Sequence, residues 1–131
     1  MQFNFAPFPL NGDPLREGRP ELGANVLNNS WGCPRVEGCD PNALIDGVRA
    51  LRAAGVFVVV SAGNDGREGC GTVATPLALY DEVFSVGAVD IDGGLAVFSS
   101  LGPVTVDGSQ RIKPDISAPG VDVISVLPGF K

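Results

Sequence analysis

The segment that most restricts the fold is Val56-Phe57-Val58-Val59-Val60, an unbroken apolar run dominated by β-branched side chains. Such a run is too short for a helix and fits a strand buried on both faces of a parallel sheet. It follows directly on a helical pattern. From Ala43 onward, Leu44, Ile45, Val48, Leu51 and Ala54 recur at helical spacing, and Gly55 stands where a helix stop is expected. Asp40-Pro41 reads as an N-cap with proline at the first helical position. Upstream, Val26 to Asn29 suits a strand end. Strand, helix and strand therefore succeed one another at the spacing of a βαβ unit.

Further along, Val83 to Val89 predicts another strand, with Leu95 to Phe98 as its partner across the Asp92-Gly93-Gly94 turn. Val121 to Val126, introduced by Ala118-Pro119-Gly120, predicts the last strand. Residues 1–24 are rich in Pro, Gly and Asn, show no sustained period, and read as an irregular lead-in to a domain over 25–131. The expected class is α/β, with a mostly parallel sheet flanked by helices. Gly66 to Gly71 lacks the Gly-Lys-Ser/Thr ending of a phosphate loop and reads as surface loop. Asp90 to Gly94 fits a hairpin turn better than a calcium loop, because Leu101 stands where the bidentate Glu would be needed.

Composition narrows the function classes. With 44% hydrophobic and 18% charged residues, the 131-residue chain can bury a core. A net charge of −6 without a basic stripe argues against nucleic acid as a partner. No apolar stretch approaches the roughly 20 residues of a membrane span. The first residues, MQFNFAPFPLNGDP, lack the basic and apolar regions of a signal peptide. Cys33 and Cys39 can close the CPRVEGC loop and leave Cys70 alone, or any of the three can pair with a cysteine outside this sequence. With no histidine and no second close cysteine pair, a four-ligand zinc site is disfavoured.

Five segments carry a family likeness: Asn29-Ser30-Trp31-Gly32, Val58 to Gly66 (VVVSAGNDG), Val86-Gly87-Ala88-Val89-Asp90, Phe98 to Pro103 (FSSLGP), and Lys113 to Val121 (KPDISAPGV). Together, in order and spacing from Asn25 to the C-terminus, they resemble the subtilases, the subtilisin-like serine peptidases. The resemblance implies a partial subtilisin-like three-layer fold and, for the parent protein, hydrolysis of peptide bonds in an extended peptide or protein substrate. Acyl transfer builds negative charge on the carbonyl oxygen, and an Asn side-chain amide at a strand end donates to it in this family. Asn64 occupies that place, although Asn64-Asp65-Gly66 also fits a simple turn by residue type. Ser30-Trp31-Gly32 resembles the segment that pairs with substrate backbone and forms one wall of the primary specificity pocket, and Ser61-Ala62-Gly63 resembles the opposite wall. Trp31 stands where many members carry leucine. Thr72 to Pro76 matches the strip beyond the pocket floor. Ala78, Tyr80 and Val83 fall where some relatives offer carbonyls to a weakly held cation, and no other cofactor or metal is implied.

The triad chemistry needs a nucleophile, a base and an orienting acid. The sequence holds no histidine and neither of the family's Asp and His motifs, and it ends at Pro128-Gly129-Phe130-Lys131, before a nucleophile segment would begin. The expectation is therefore a piece of the catalytic domain truncated at both ends, inactive alone, from a secreted endopeptidase whose export signal lies elsewhere. A non-catalytic peptide-binding module is the alternative. A partial sheet also leaves an open edge and an uncovered apolar face, which invite self-association.

Overall fold

The βαβ unit forms as the apolar pattern dictates. The computed structural model describes residues 2–33 and 35–126. Strand β1 (Val26–Asn29) leads to helix α2 (Ile45–Ala53) and back to strand β2 (Phe57–Ser61), which pairs in parallel with β1 from Val26↔Phe57 to Asn29↔Val60. A short helix α1 (Gln2–Phe5) and a 3-10 turn at Pro20–Leu22 give the lead-in local structure that its composition did not announce. The Ala24 N–H donates to the Asn4 carbonyl at 2.8 Å, and Phe5 packs against the main core.

The helix ends where glycine stands and begins later than its sequence suggests. Gly55 adopts φ +82°, its N–H donates to the Arg52 carbonyl, and the Val56 N–H reaches back to the Leu51 carbonyl. These two bonds form a Schellman stop, which delivers Val56 and Leu51 together into the core. Asp40 does not cap α2. Its carboxylate accepts the Asn42 N–H at 2.8 Å and its carbonyl accepts the Ala43 N–H at 3.0 Å. The short side chain thus closes a turn over its own backbone, and the helix starts only after Leu44.

Strands β3 (Phe84–Val89) and β4 (Ile116–Pro119) complete a parallel sheet in the order β1-β2-β3-β4. The last strand is thus Ile116–Pro119 and not Val121–Val126. The β3–β4 ladder runs from Val86↔Ile116 to Val89↔Pro119, and the Gly120 N–H donates to the Val89 carbonyl at the end of β3. Residues 121–126 lie past that end, and Ile124 is 98% exposed. Leu95 to Phe98 likewise forms no strand. Most of β3 is paired with β2 and β4, so Leu95 gains one antiparallel bridge to Val89 beside the Gly93 turn.

The core lies on one side of the sheet. Val48 and Leu51 of α2 pack with Val58 and Val60 of β2 and with Val73, Leu77, Leu79, Tyr80, Val83 and Val104 from the connecting segments. Each such side chain contributes roughly 1.5–3 kcal/mol by leaving water. The expectation that the apolar run of β2 is buried on both faces is corrected. Val58 and Val60 are buried, whereas Phe57 on the opposite face is 53% exposed. Parallel pairing aligns Phe57 and Val59 with Val26, Phe84, Val86 and Ile116 on that second face. The Phe57 and Phe84 rings meet there at 5.5 Å. Among the described residues no helical layer covers them.

An ion pair with a buried ammonium secures β4 to β3 where both strands begin, at the opposite end of the sheet from their carboxyl termini. The Lys113 ammonium, whose side chain is 2% exposed, donates to Asp115 at 2.7 Å and to the Val83 carbonyl at 2.8 Å. The same carboxylate oxygen accepts the Ser85 N–H at 2.6 Å and the Ser85 hydroxyl at 2.8 Å. Burial opposes ionisation of Asp115, but the bonds from Lys113 and Ser85 outweigh it and hold the carboxyl below its ordinary pKa. We expect Asp115→Asn to cost about 3 kcal/mol, because it strands a buried ammonium, and Lys113→Met to cost less. A folded pKa lower than the unfolded one means this stabilisation is complete above the ordinary carboxylate range and disappears as pH falls through the folded value. Urea denaturation should therefore separate wild type from Asp115→Asn widely at pH 7 and little near pH 2. An equal gap at both values would refute the assignment.

Candidate functional site

Parallel pairing brings the two expected wall segments together. Adjacent parallel strands end on the same side of a sheet, and ligands in open α/β sheets bind at those carboxyl ends. With Asn29 opposite Val60, the chain leaves β1 at Ser30 and β2 at Ser61 side by side. Between the two exits lies an open cleft of about 290 Å³. Of the seven residues singled out from the sequence, Ser30, Trp31, Gly32, Ser61, Gly63 and Asn64 line it. Ala62 does not. Its side chain is buried and its N–H donates to the Val86 carbonyl at 2.9 Å, which extends the β2–β3 pairing by one bond.

The backbone around Asn64 is clamped by one buried serine. The Ser100 N–H donates to the Gly63 carbonyl at 3.1 Å, and the Ser100 hydroxyl accepts the Asp65 N–H at 3.0 Å. Asn64 sits between these two anchors with its side chain exposed, and its amide has no hydrogen-bond partner among the described residues. Gly63 holds φ +111°, and a Cβ there would stand 2.7 Å from the Ser100 hydroxyl oxygen. Glycine is thus required both for the turn and for the close approach. The result is an exposed, unpartnered side-chain amide carried on an anchored backbone, which leaves its donor available to a ligand oxygen.

Gly32 leaves the facing wall as bare backbone, where an added Cβ would meet the Thr75 hydroxyl at 3.6 Å. Thr75, Pro76 and Ala78 also line the cleft. Thr72 anchors this strip. Its N–H donates to the Leu101 carbonyl, and its hydroxyl accepts the Leu101 N–H and donates to the Gly69 carbonyl. The family likeness puts Thr72 to Pro76 in the strip beyond the pocket floor. Cys33, Asp65 and Ala78 line the cleft without a sequence signal for that role. The sequence points to Ala78 only through its carbonyl and to Cys33 only through a disulfide, and its residue pattern does not single out Asp65.

The residues present do not fit a metal at Ala78, Tyr80 and Val83. All three are buried, but the Val83 carbonyl already accepts a hydrogen bond from the Lys113 ammonium. A second cation on that oxygen would meet a full positive charge at short range. The Tyr80 hydroxyl, distinct from the carbonyl such a site would use, accepts the Leu44 N–H at 3.3 Å, and burial raises its pKa. The cluster of Cys33, Glu37 and Cys39 is no metal site either, since the two cysteines are joined in a disulfide. Of the pairings open from sequence, the structure shows Cys33–Cys39, with Cys70 free and exposed. Among the described residues no helix is long and apolar enough to cross a membrane.

Known proteins share this sequence pattern and this fold. Residues 15–129 match the subtilase family. The chain is 44% identical over 127 residues to Bacillopeptidase F of Bacillus subtilis (strain 168), a match covering 95% of this chain and 8% of that protein. It is 38% identical over 113 residues to Subtilisin DY of Bacillus licheniformis, covering 86% of this chain and 36% of that protein. The solved structure of the prenylagaramide maturation protease PagA superposes with a TM-score of 0.57 at 28% identity, over 76% of this chain and 32% of that one. The chain thus spans well under half the length of each of these relatives.

Proposed function

The chain belongs to the subtilase family, and from that premise we propose that it supplies the oxyanion donor and the substrate-cleft walls of a serine endopeptidase. The observation that carries this reading is the Ser100 clamp, which presents the unpartnered Asn64 amide at the cleft. Ser30-Trp31-Gly32 would pair with the backbone of an extended peptide, and the cleft between Gly32 and Gly63 would take a substrate side chain.

Peptide-bond hydrolysis also needs a base, and this chain contains no histidine. Alone it binds rather than cleaves, with the nucleophile, base and orienting acid supplied by other parts of a complete subtilase. The alternative reading is a peptide-binding module without catalysis, which the cleft between Gly32 and Gly63 would also serve. An oxidising, extracellular compartment is supported by the Cys33–Cys39 disulfide.

The uncovered sheet face supports self-association of the isolated chain. It carries Phe57, Phe84, Val86 and Ile116 and no charged side chain at the paired strand positions. Sedimentation should show concentration-dependent oligomers that Phe57→Lys disperses. A wild-type monomer at all concentrations would reject this.

In a complete subtilase carrying this segment, Asn64→Ala should lower turnover about 10²–10³-fold, a magnitude itself known from a subtilisin. KM should change little, because the donor acts on charge that develops only in the transition state. A rise in KM that accounts for the whole loss would transfer Asn64 from oxyanion stabilisation to simple substrate binding. No turnover in the unsubstituted protein would favour the binding module.

A further inference from the structure

A short strap, residues 98–102, touches both the turn that carries Asn64 and the strip that leads to Thr75. On one side the Phe98 carbonyl accepts the Gly66 N–H at 3.0 Å, and Ser100 holds Gly63 and Asp65. A Cβ on Gly66 would overlap the Ser99 carbonyl, so turn and strap meet backbone to backbone. On the other side Leu101 is bracketed by Thr72. Its N–H donates to the Thr72 hydroxyl at 2.8 Å, and its carbonyl accepts the Thr72 N–H at 2.8 Å and the Val73 N–H at 3.2 Å. Ser99 ties the strap to β3, its hydroxyl accepting the Ala88 N–H at 2.9 Å. The Leu101 N–H and the Ser100 carbonyl belong to one planar peptide unit. The Thr72 hydroxyl therefore orients the peptide that leaves Ser100, next to the clamp on Asn64.

We propose that Thr72 is a positioning residue for the Asn64 amide, acting through the Ser100–Leu101 peptide. This rests on the reading of Asn64 as the oxyanion donor. Ser99 and Ser100 of the strap are buried, whereas the path along the chain from Asn64 to Thr72 runs through a loop in which Arg67, Glu68 and Cys70 are exposed. Coupling between the two sites follows the packed, hydrogen-bonded route. Thr72 also anchors the strip, and the two roles are separable. Without the hydroxyl, the N–H groups of residues 72 and 73 still hold the Leu101 carbonyl, so the strip stays attached. Only the Leu101 N–H loses its acceptor, and the Ser100–Leu101 peptide gains freedom to rotate. The turn carrying Asn64 then shifts relative to the developing charge, and small misplacements of such a donor are costly.

The test is a double-mutant cycle in a complete subtilase carrying this segment, with kcat and KM measured for Thr72→Val, Asn64→Ala and the two combined. Thr72→Val keeps the side-chain shape and removes the hydroxyl. We expect it to lower kcat about tenfold with KM nearly unchanged, and Thr72→Ser, which keeps the hydroxyl, to recover most of the loss. In the Asn64→Ala background Thr72→Val should change kcat by less than about twofold, since no donor is left to misplace. An equal loss in both backgrounds, with Asn64→Ala itself lowering kcat, would overturn the proposal and leave the role of Asn64 standing. A loss confined to KM, or no loss from Thr72→Val, would overturn it in the same way. Unchanged kcat in Asn64→Ala, or no turnover in the unsubstituted protein, would instead refute the oxyanion reading and the proposal with it. Circular dichroism and thermal melting check the fold of each variant. If Thr72→Val does not fold, Ser100→Ala interrupts the same route at its other end and is read in the same cycle with the same outcomes.

Discussion

The parallel pairing of β1 with β2 is the interaction on which the rest depends. Its register places Asn29 beside Val60, so that two chain segments distant in sequence leave the sheet at neighbouring points. An antiparallel pairing would send them to opposite ends and no cleft could form. Parallel pairing in turn requires a crossover, and α2 supplies it with Val48 and Leu51 buried against Val58 and Val60. The Schellman stop at Gly55 sets the phase of the return strand, because Val56 is drawn inward at the same point as Leu51. Moving β2 by one residue would turn Val58 and Val60 outward and invert the cleft wall.

Given that frame, the cleft is held by few contacts of different kinds. Ser100, fully buried, fixes Gly63 and Asp65 on either side of Asn64. Thr72 fixes the strip that carries Thr75, and the Cys33–Cys39 bond closes the loop that follows the facing wall. Donors held in place before a ligand arrives need no reorganisation as charge develops, and that is the physical value of rigidity here. The Lys113–Asp115–Ser85 cluster serves a different end of the sheet. It holds β4 on β3 and engages the Val83 carbonyl with a resident ammonium.

Much of this was legible in the sequence because it was written in periodicity and glycine placement. The run from Val56 to Val60 and the helical spacing from Leu44 to Ala54 announced the βαβ unit, whereas the walls at Ser30 and Ser61 followed only from the likeness to the subtilases. What escaped was set by tertiary pairing. Ile116–Pro119 carries a proline and polar neighbours and Val121 to Val126 is the more apolar run, but β3 ends at Val89 and leaves the latter no partner in the ladder. Asp40 had the residue type of a helix cap but spent its carboxylate on a turn. Ala62 shared a motif with cleft residues, yet strand alternation turned it inward. Asp65 and Cys33 reach the lining only through loop geometry, which residue pattern does not encode.

The central claim is that the strand ends at Ser30–Gly32 and Ser61–Asn64 form one peptide-binding cleft. Backbone amide shifts of the 131-residue chain, followed by NMR during titration with an extended tetrapeptide, test it most directly. Saturable shifts grouped at Ser30, Trp31, Gly32, Gly63 and Asn64, with Lys113 and Asp115 unmoved, are the expected result. Shifts centred on the Lys113 end of the sheet, or none at millimolar peptide, would contradict it.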